Sequence, residues 1–168
     1  MKTLILLISL LCMQTVYAKG IYQTPQAFLE ESFNGHTFTQ KTIWLNKENK
    51  QAISGILQHQ PQFIRVKYWS LGTKSAWILD EIGKEKAITV GIIIDQSSIQ
   101  KLKVLTFRES RGWEVKHDFF THQFSGLKLN DQQQLSETVN GISGATLSVR
   151  ALKKMARVAL YLNNHRGQ

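Results

Sequence analysis

The chain is poor in cysteine. Its single cysteine, Cys12, lies within an apolar run near the N-terminus of the 168-residue sequence. One thiol excludes a disulfide framework, a cysteine-based zinc site, an iron–sulfur cluster and a c-type haem motif. Redox chemistry in this protein therefore requires a cofactor that is held without cysteine.

Proline and glycine are also scarce, with two and eleven residues, whereas 42% of the chain is hydrophobic and 10% is aromatic. This composition excludes a collagen-like fibre and a disordered tail, because the apolar content is near the globular average. The chain is long enough for one domain with a hydrophobic core, and no internal repeat or low-complexity linker divides it.

The first 18 residues are typical of a secretory signal. Lys2 precedes an apolar stretch over 4–13, and Val16-Tyr17-Ala18 places small or modest side chains where a signal peptidase cleaves. We expect cleavage after Ala18 and a periplasmic protein with no transmembrane helix of its own. An uncleaved anchor is the alternative, and association with a membrane through a partner is compatible with either.

Basic residues are in excess, but they do not cluster. A total of 21 Lys and Arg against 12 Asp and Glu gives a formal charge of +9, and loss of Lys2 with the signal lowers it to +8. No run of five or more basic residues occurs, which together with export argues against a nucleic-acid partner. The charge indicates a solvated basic face, or a docking surface for an acidic partner or an anionic membrane.

Periodicity and turn residues predict an α+β fold, a single domain in which helices pack against an antiparallel sheet. Helical patterns occur at 24–33, where Thr24 precedes Pro25, and at 46–58. Strand-like patterns cover 37–45, 62–69, 75–81, 87–94 and 99–107, and the last four form two predicted hairpins. The segment 108–140 is predicted to hold turns and short elements.

The C-terminal helix is predicted over 147–163. Its apolar face is formed by Leu147, Ala151, Leu152, Met155, Val158, Ala159 and Leu162. Four basic residues occupy the other side, namely Arg150, Lys153, Lys154 and Arg157.

A short motif, Ser143-Gly144-Ala145-Thr146, stands immediately before that helix. Small residues allow a large group to approach the backbone, and the N–H groups at the start of a helix favour a phosphate. The alternative is structural, with a Ser or Thr capping the helix after a flexible glycine.

The motif resembles the flavin-attachment sequence of the FMN-binding domain family, which includes the C subunit of sodium-pumping NADH:quinone reductase and the G subunit of Rnf-type complexes. The resemblance runs from about residue 85 to 162. It implies that Thr146 carries FMN through a phosphoester bond made by a flavin transferase, with Ser143, Gly144 and Ala145 beside the phosphate. The implied organisation is a signal peptide at 1–18, an N-terminal part of the mature domain at 19–84 and an FMN-binding region at 85–168.

Four residues of the preceding loop are further candidates for cofactor binding. Arg108 and Arg111 would stabilise a reduced anionic flavin, and Trp113 would stack on its ring. The alternatives are ordinary surface arginines and a half-buried core tryptophan. Glu109 is expected near the flavin, or else paired with a neighbouring arginine to shape the loop.

These observations predict an exported electron-transfer flavoprotein whose partners are a flavin transferase and a membrane-bound or soluble redox protein. We assign no catalytic residue. No metal is expected, because His117 and His122 lack a third ligand at useful spacing. The alternatives are a flavin-dependent reductase of a small exported substrate, and an accessory domain that has lost its cofactor. Asn140 supports the latter, because family members usually carry an acidic residue there.

Overall fold

The computed structural model of the protein describes residues 20–166, so the predicted signal segment lies outside the described residues. The helices are α1 (Pro25–Ser32), α2 (Lys47–Leu57), α3 (Asp118–Thr121) and α4 (Thr146–Asn164), and two 3₁₀ turns span Trp113–Lys116 and His122–Phe124. The strands are β1 (Thr39–Trp44), β2 (Arg65–Leu71), β3 (Lys74–Ile82), β4 (Ala87–Asp95) and β5 (Ser98–Phe107). The predicted α+β class is confirmed.

The strands form one antiparallel sheet in the order β1-β2-β3-β4-β5. Neighbours in the sheet are therefore neighbours in the chain, as the two predicted hairpins required. The pairing of β3 with β4 is continuous from Ser75↔Ile94 to Ile82↔Ala87. Strand β2 begins and ends later than predicted, at Arg65 and Leu71. Its pairing with β3 is restricted to the end near the turn.

The two faces of the sheet are covered by different helices. Helix α1 covers one face with Phe28 and Phe33, which pack with Ile93 and Leu105 of the sheet. Helices α2 and α4 cover the other face, where alternate residues of β4 point into the larger cluster. This division decides which sheet residues lie near the start of α4.

The first two helices begin and end as their sequences predict. The Thr24 hydroxyl accepts a hydrogen bond from the N–H of Ala27 at 3.2 Å, and Pro25 opens α1. The Asn46 side chain accepts from the N–H of Asn49 at 2.7 Å, which caps α2. Both caps are interactions between residues three positions apart, so they can be predicted from the sequence.

Helix α4 is buried along most of its length, and its residues from Val149 to Leu162 contribute to the larger cluster. At its C-terminal end, the Ser75 hydroxyl donates to Asn163 Oδ1 at 2.7 Å and accepts from the Trp77 indole at 2.8 Å. Leu147, predicted on the apolar face, is instead 38% exposed. It lies in the first turn of α4. No helix among residues 20–166 combines the length and apolar character needed to span a membrane.

Candidate functional site

The predicted motif forms a tight turn that leads directly into α4. The N–H of Ala145 donates to the carbonyl of Ile142 at 3.0 Å, and Gly144 has φ 82°. This left-handed geometry at the third residue of the turn favours glycine. Ser143 and Gly144 are exposed, and the space around a Cβ placed on Gly144 is open. A bulky group can therefore approach the backbone here.

Thr146 is the first residue of α4, and its side chain is exposed. The N-cap position is occupied by Ala145, which supplies no side-chain acceptor. The structural alternative, a Ser or Thr capping the helix, is therefore wrong. The first helical bond joins the Val149 N–H to the Ala145 carbonyl at 2.9 Å. No side chain of residues 20–166 caps the preceding N–H groups, so they are available to an anion at the positive end of a 19-residue helix.

The loop after β5 is braced against this first turn. Gly112 is buried with φ 83°, and a Cβ placed on it would lie 2.5 Å from Ser148 Oγ and 3.5 Å from Ala145 Cα. The motif and the loop that carries the other candidate residues are therefore in direct contact. A hydrogen bond holds the residues just before the motif, because Gln123 Oε1 accepts from the N–H of Asn140 at 2.8 Å.

Glu109 organises the turn between β3 and β4, and it makes no ion pair with a neighbouring arginine among the described residues. Its Oε1 accepts from the N–H groups of Lys84, Glu85 at 2.7 Å and Lys86 at 3.0 Å. Burial alone would raise the pKa of Glu109. The three donors and the Lys84 charge outweigh burial and lower the pKa below its ordinary value. The ionised Glu109 carboxylate therefore stabilises the turn between β3 and β4 through these hydrogen bonds.

Arg108 is directed toward the sheet face that α1 covers. Its Nη1 donates to the Ala87 carbonyl at 3.1 Å and to Thr89 Oγ1 at 2.9 Å, and it lies 3.9 Å from Asp80 Oδ1. Thr89 alternates with the β4 residues that face α4, so this guanidinium is on the opposite side of the sheet from the motif. Arg111 is exposed, and its side chain has no hydrogen bond to any residue between 20 and 166.

Trp113 begins the first 3₁₀ turn and is 46% exposed, so its indole is half-buried, which both the stacking role and the packing alternative allow. Its indole meets His117 edge-on at 5.3 Å between ring centroids. The Lys116 ammonium lies 5.1 Å from the Trp113 centroid and 4.2 Å from that of Tyr22. An exposed aromatic surface thus adjoins the loop that Gly112 fixes against α4.

A groove of about 490 Å³ runs from Thr146 along α4. Its α4 wall contains the four basic residues of the predicted polar side, Arg150, Lys153, Lys154 and Arg157. Its other wall is the C-terminal end of α2, with Ile56 and Gln58. We name it the basic groove. The sequence placed the charges on one side of the helix, but it carried no signal that α2 would face them.

One ionic cluster at the edge of the basic groove has no counterpart in the sequence analysis. The buried Glu81 carboxylate accepts from Lys154 Nζ at 3.2 Å and from His59 Nε2 at 3.1 Å. The other ring nitrogen of His59 faces the Gln60 carbonyl at 3.0 Å. That contact and the Glu81 carboxylate raise the pKa of His59, although burial and Lys154 oppose the shift. Both ring nitrogens face acceptors, which is the arrangement of an imidazolium.

Comparison with protein families gives one match. Residues 83–161 match the model of the FMN-binding domain, and no curated protein sequence matches the chain significantly. The matched segment begins at the turn held by Glu109, contains β4, β5 and the braced loop, and ends within α4. The open motif turn and the uncapped start of α4 are compatible with the phosphate of such a cofactor. The segment 83–161 therefore matches the FMN-binding domain family, which supports a flavin-binding protein with FMN as its cofactor.

Proposed function

We propose that the protein is an exported electron-transfer flavoprotein that carries FMN covalently on Thr146 through a phosphoester bond. The proposal rests on the position of Thr146. This residue is exposed and is the first of α4, and no side chain caps the start of that helix. A phosphate attached at this hydroxyl lies beside the free N–H groups and the positive end of the helix dipole.

The attachment step needs a second protein. Among residues 20–166, Thr146 Oγ has no hydrogen bond to a histidine or a carboxylate, so none of these residues is placed to activate it as a base. A flavin transferase would supply that base and use FAD. The Thr146 Oγ–phosphorus bond forms, the bond between the two phosphates of FAD breaks, AMP leaves, and the hydroxyl proton passes to the base of the transferase.

Once FMN is attached, the residues of this chain hold and orient it while the flavin supplies the redox chemistry. The N–H groups at the start of α4 and the Ser143 hydroxyl bind the phosphate, and Gly144 leaves room for it. Trp113 offers an exposed face for stacking, and Arg111 offers a charge that its exposed position leaves free to move. Arg108 contributes indirectly, because its hydrogen bonds tie the end of β5 to β4.

An electron carrier fits this site better than a reductase with its own substrate. Thr146 stands on an open surface, and its neighbours Ser143 and Gly144 are exposed. A carrier requires an accessible cofactor edge and a docking surface, whereas a reductase requires a pocket that encloses its substrate. We therefore expect electrons to pass between the flavin and a membrane-bound or soluble redox partner.

The test is a comparison of variants coexpressed with a flavin transferase. Thr146→Ala is expected to abolish flavin fluorescence in the denatured protein band, Thr146→Ser to retain it, and Ser143→Ala to reduce it only in part. The Thr146 side chain is exposed, so its truncation should change the melting temperature little. Flavin that stays on the denatured Thr146→Ala protein would refute attachment at this residue. Absence of flavin from every variant, wild type included, would favour the accessory domain that Asn140 suggests.

A further inference from the structure

The basic groove holds its charges in a regular pattern. Arg150, Lys153, Lys154 and Arg157 follow the spacing i, i+3, i+4, i+7, which aligns them on one face of α4. The stripe extends over about 10 Å at the rise of an α-helix. Thr146 lies one turn before Arg150, so the stripe starts at the proposed attachment site.

Most of this charge is not neutralised by the protein. Lys153 Nζ donates to the Val139 carbonyl at 3.2 Å, and Arg157 Nε donates to the Gln133 carbonyl at 2.6 Å. Carbonyl partners orient these groups but carry no negative charge. Arg150 is exposed and makes no ion pair within residues 20–166.

None of the described residues that line the groove is acidic, and the Glu81 carboxylate at its edge is already shared. Glu81 meets Lys154 on one side and His59 on the other, and the imidazolium form of His59 adds a further positive charge. The groove therefore carries a net positive charge, which attracts an acidic partner.

We propose that the basic groove is the docking site for an acidic α-helix of a protein partner. Carboxylate side chains at i, i+3, i+4 and i+7 of a second helix have the same spacing, about 5–6 Å between Cβ atoms, as the four basic residues. Ile56 and Val149 also line the groove but are buried in the core, at 1% and 7% exposure, so recognition of such a helix rests on the charges. A dinucleotide fits less well, because none of the described lining residues is aromatic and able to stack on a base.

The biological role of this surface rests on the proposed function. A helix seated in the groove would hold the partner next to Thr146, so the redox partner would meet the flavin there. Docking itself requires no flavin, since the four cations belong to the protein. The two proposals can therefore fail independently.

The experiment measures binding of a labelled helical peptide to the full mature protein by fluorescence anisotropy. The peptide carries glutamates at i, i+3, i+4 and i+7 on one face, and a second peptide has the same composition with the glutamates scattered around the helix. We expect the ordered peptide to bind about tenfold more tightly than the scattered one, with affinity falling as salt rises.

Variants assign the binding to the groove. Arg150→Gln with Lys153→Gln should weaken binding of the ordered peptide about tenfold, whereas the charge-matched control Lys41→Gln with Lys67→Gln, two exposed lysines of β1 and β2, should change it less than about twofold. Arg150→Glu alone should also weaken binding of the ordered peptide. Because Arg150 is exposed, this substitution should leave the fold intact.

Other results would overturn the proposal. Equal binding of the two peptides, or equal loss in the control variant, would show unspecific charge attraction. Displacement of the peptide by an equal concentration of inorganic pyrophosphate would identify a small-anion site. Binding to phosphatidylglycerol vesicles that is lost in the Arg150→Gln, Lys153→Gln protein, without binding of the ordered peptide, would assign the groove to a membrane. The same titration with flavin-free wild-type protein, produced without a flavin transferase, separates the two proposals, because peptide binding should persist there.

Discussion

Gly112 and Ser148 pack so closely that a methyl group on Gly112 would lie 2.5 Å from Ser148 Oγ. The contact joins the loop after β5 to the first turn of α4, and Gly112 also requires φ 83°. The position of Thr146, two residues before Ser148, is thus fixed relative to the loop that carries Glu109, Arg111 and Trp113.

Gly112→Ala should therefore destabilise the protein for two reasons. A left-handed backbone costs a side-chain-bearing residue about 1–2 kcal/mol, and the collision with Ser148 adds about 1 kcal/mol more. Gly126→Ala is the matched control, because Gly126 has φ 81° but open space around it. Urea unfolding should show the larger loss for Gly112→Ala, and Ser148→Ala in that background should restore part of the difference. Equal losses at the two glycines would show that the contact is unimportant.

Gly91 and Phe28 support a second prediction, about the packing of α1. A Cβ on Gly91 would lie 2.6 Å from ring atoms of Phe28, which is fully buried and has no room to retreat. Gly91→Ala should cost about 1–3 kcal/mol of unfolding free energy. Gly55→Ala, in α2 with open space around it, should stabilise the protein by about 0.5–1 kcal/mol. Thermal or urea unfolding should therefore show a lower unfolding free energy for Gly91→Ala and a higher one for Gly55→Ala. Destabilisation of similar size by both substitutions would refute the argument.

Glu109 gives a prediction with a defined pH dependence. Glu109→Ala removes the acceptor of three N–H groups and should cost about 1 kcal/mol near neutral pH. The pKa of Glu109 is lower in the folded protein, so its contribution is present above the ordinary value of 4.5 and is lost as the pH falls through the folded-state value. The difference in melting temperature between wild type and Glu109→Ala should shrink as the pH falls below 4.5. Glu137→Ala, an exposed control, should show almost no difference at any pH.

His59 gives the opposite dependence on pH. Its pKa is raised in the folded protein, so the stability it contributes is complete below 6.5 and is lost as the pH rises through the folded-state value. His59→Gln should be less stable than wild type near pH 5.5 and nearly equal near pH 9. The side chain is 46% exposed, which limits the effect to less than about 1 kcal/mol. An NMR titration that placed the pKa of His59 at or below 6.5 would contradict the arrangement with Glu81.

Local features of the fold could be predicted from the sequence, because the interactions that form them involve neighbouring residues. The caps at Thr24 and Asn46 and the hairpin order of the sheet depend on residues a few positions apart. The start of α4 at the motif was also predictable, since the motif and the apolar repeat adjoin. The prediction that Leu147 lies on the buried face was wrong, because periodicity along a helix does not reveal which apolar positions the neighbouring elements cover.

Interactions between distant residues were not predictable. Glu109 binds a turn about 25 residues earlier, where the sequence favoured the flavin or a neighbouring arginine. His59 drew no hypothesis, since Glu81 is 22 residues away and only the tertiary fold brings the segment after α2 next to β3. The basic groove is formed by both α2 and α4, and the sequence of neither helix indicates that the other lies beside it.

The most direct test of covalent flavin on Thr146 is the intact mass of the protein exported from cells that contain a flavin transferase. The account predicts the mass of the chain beginning at Lys19 plus FMN less one water, with the added mass on the peptide that contains Thr146. An unmodified mature mass without flavin would contradict it, and Asn140→Asp would then test whether the missing acidic residue prevents attachment.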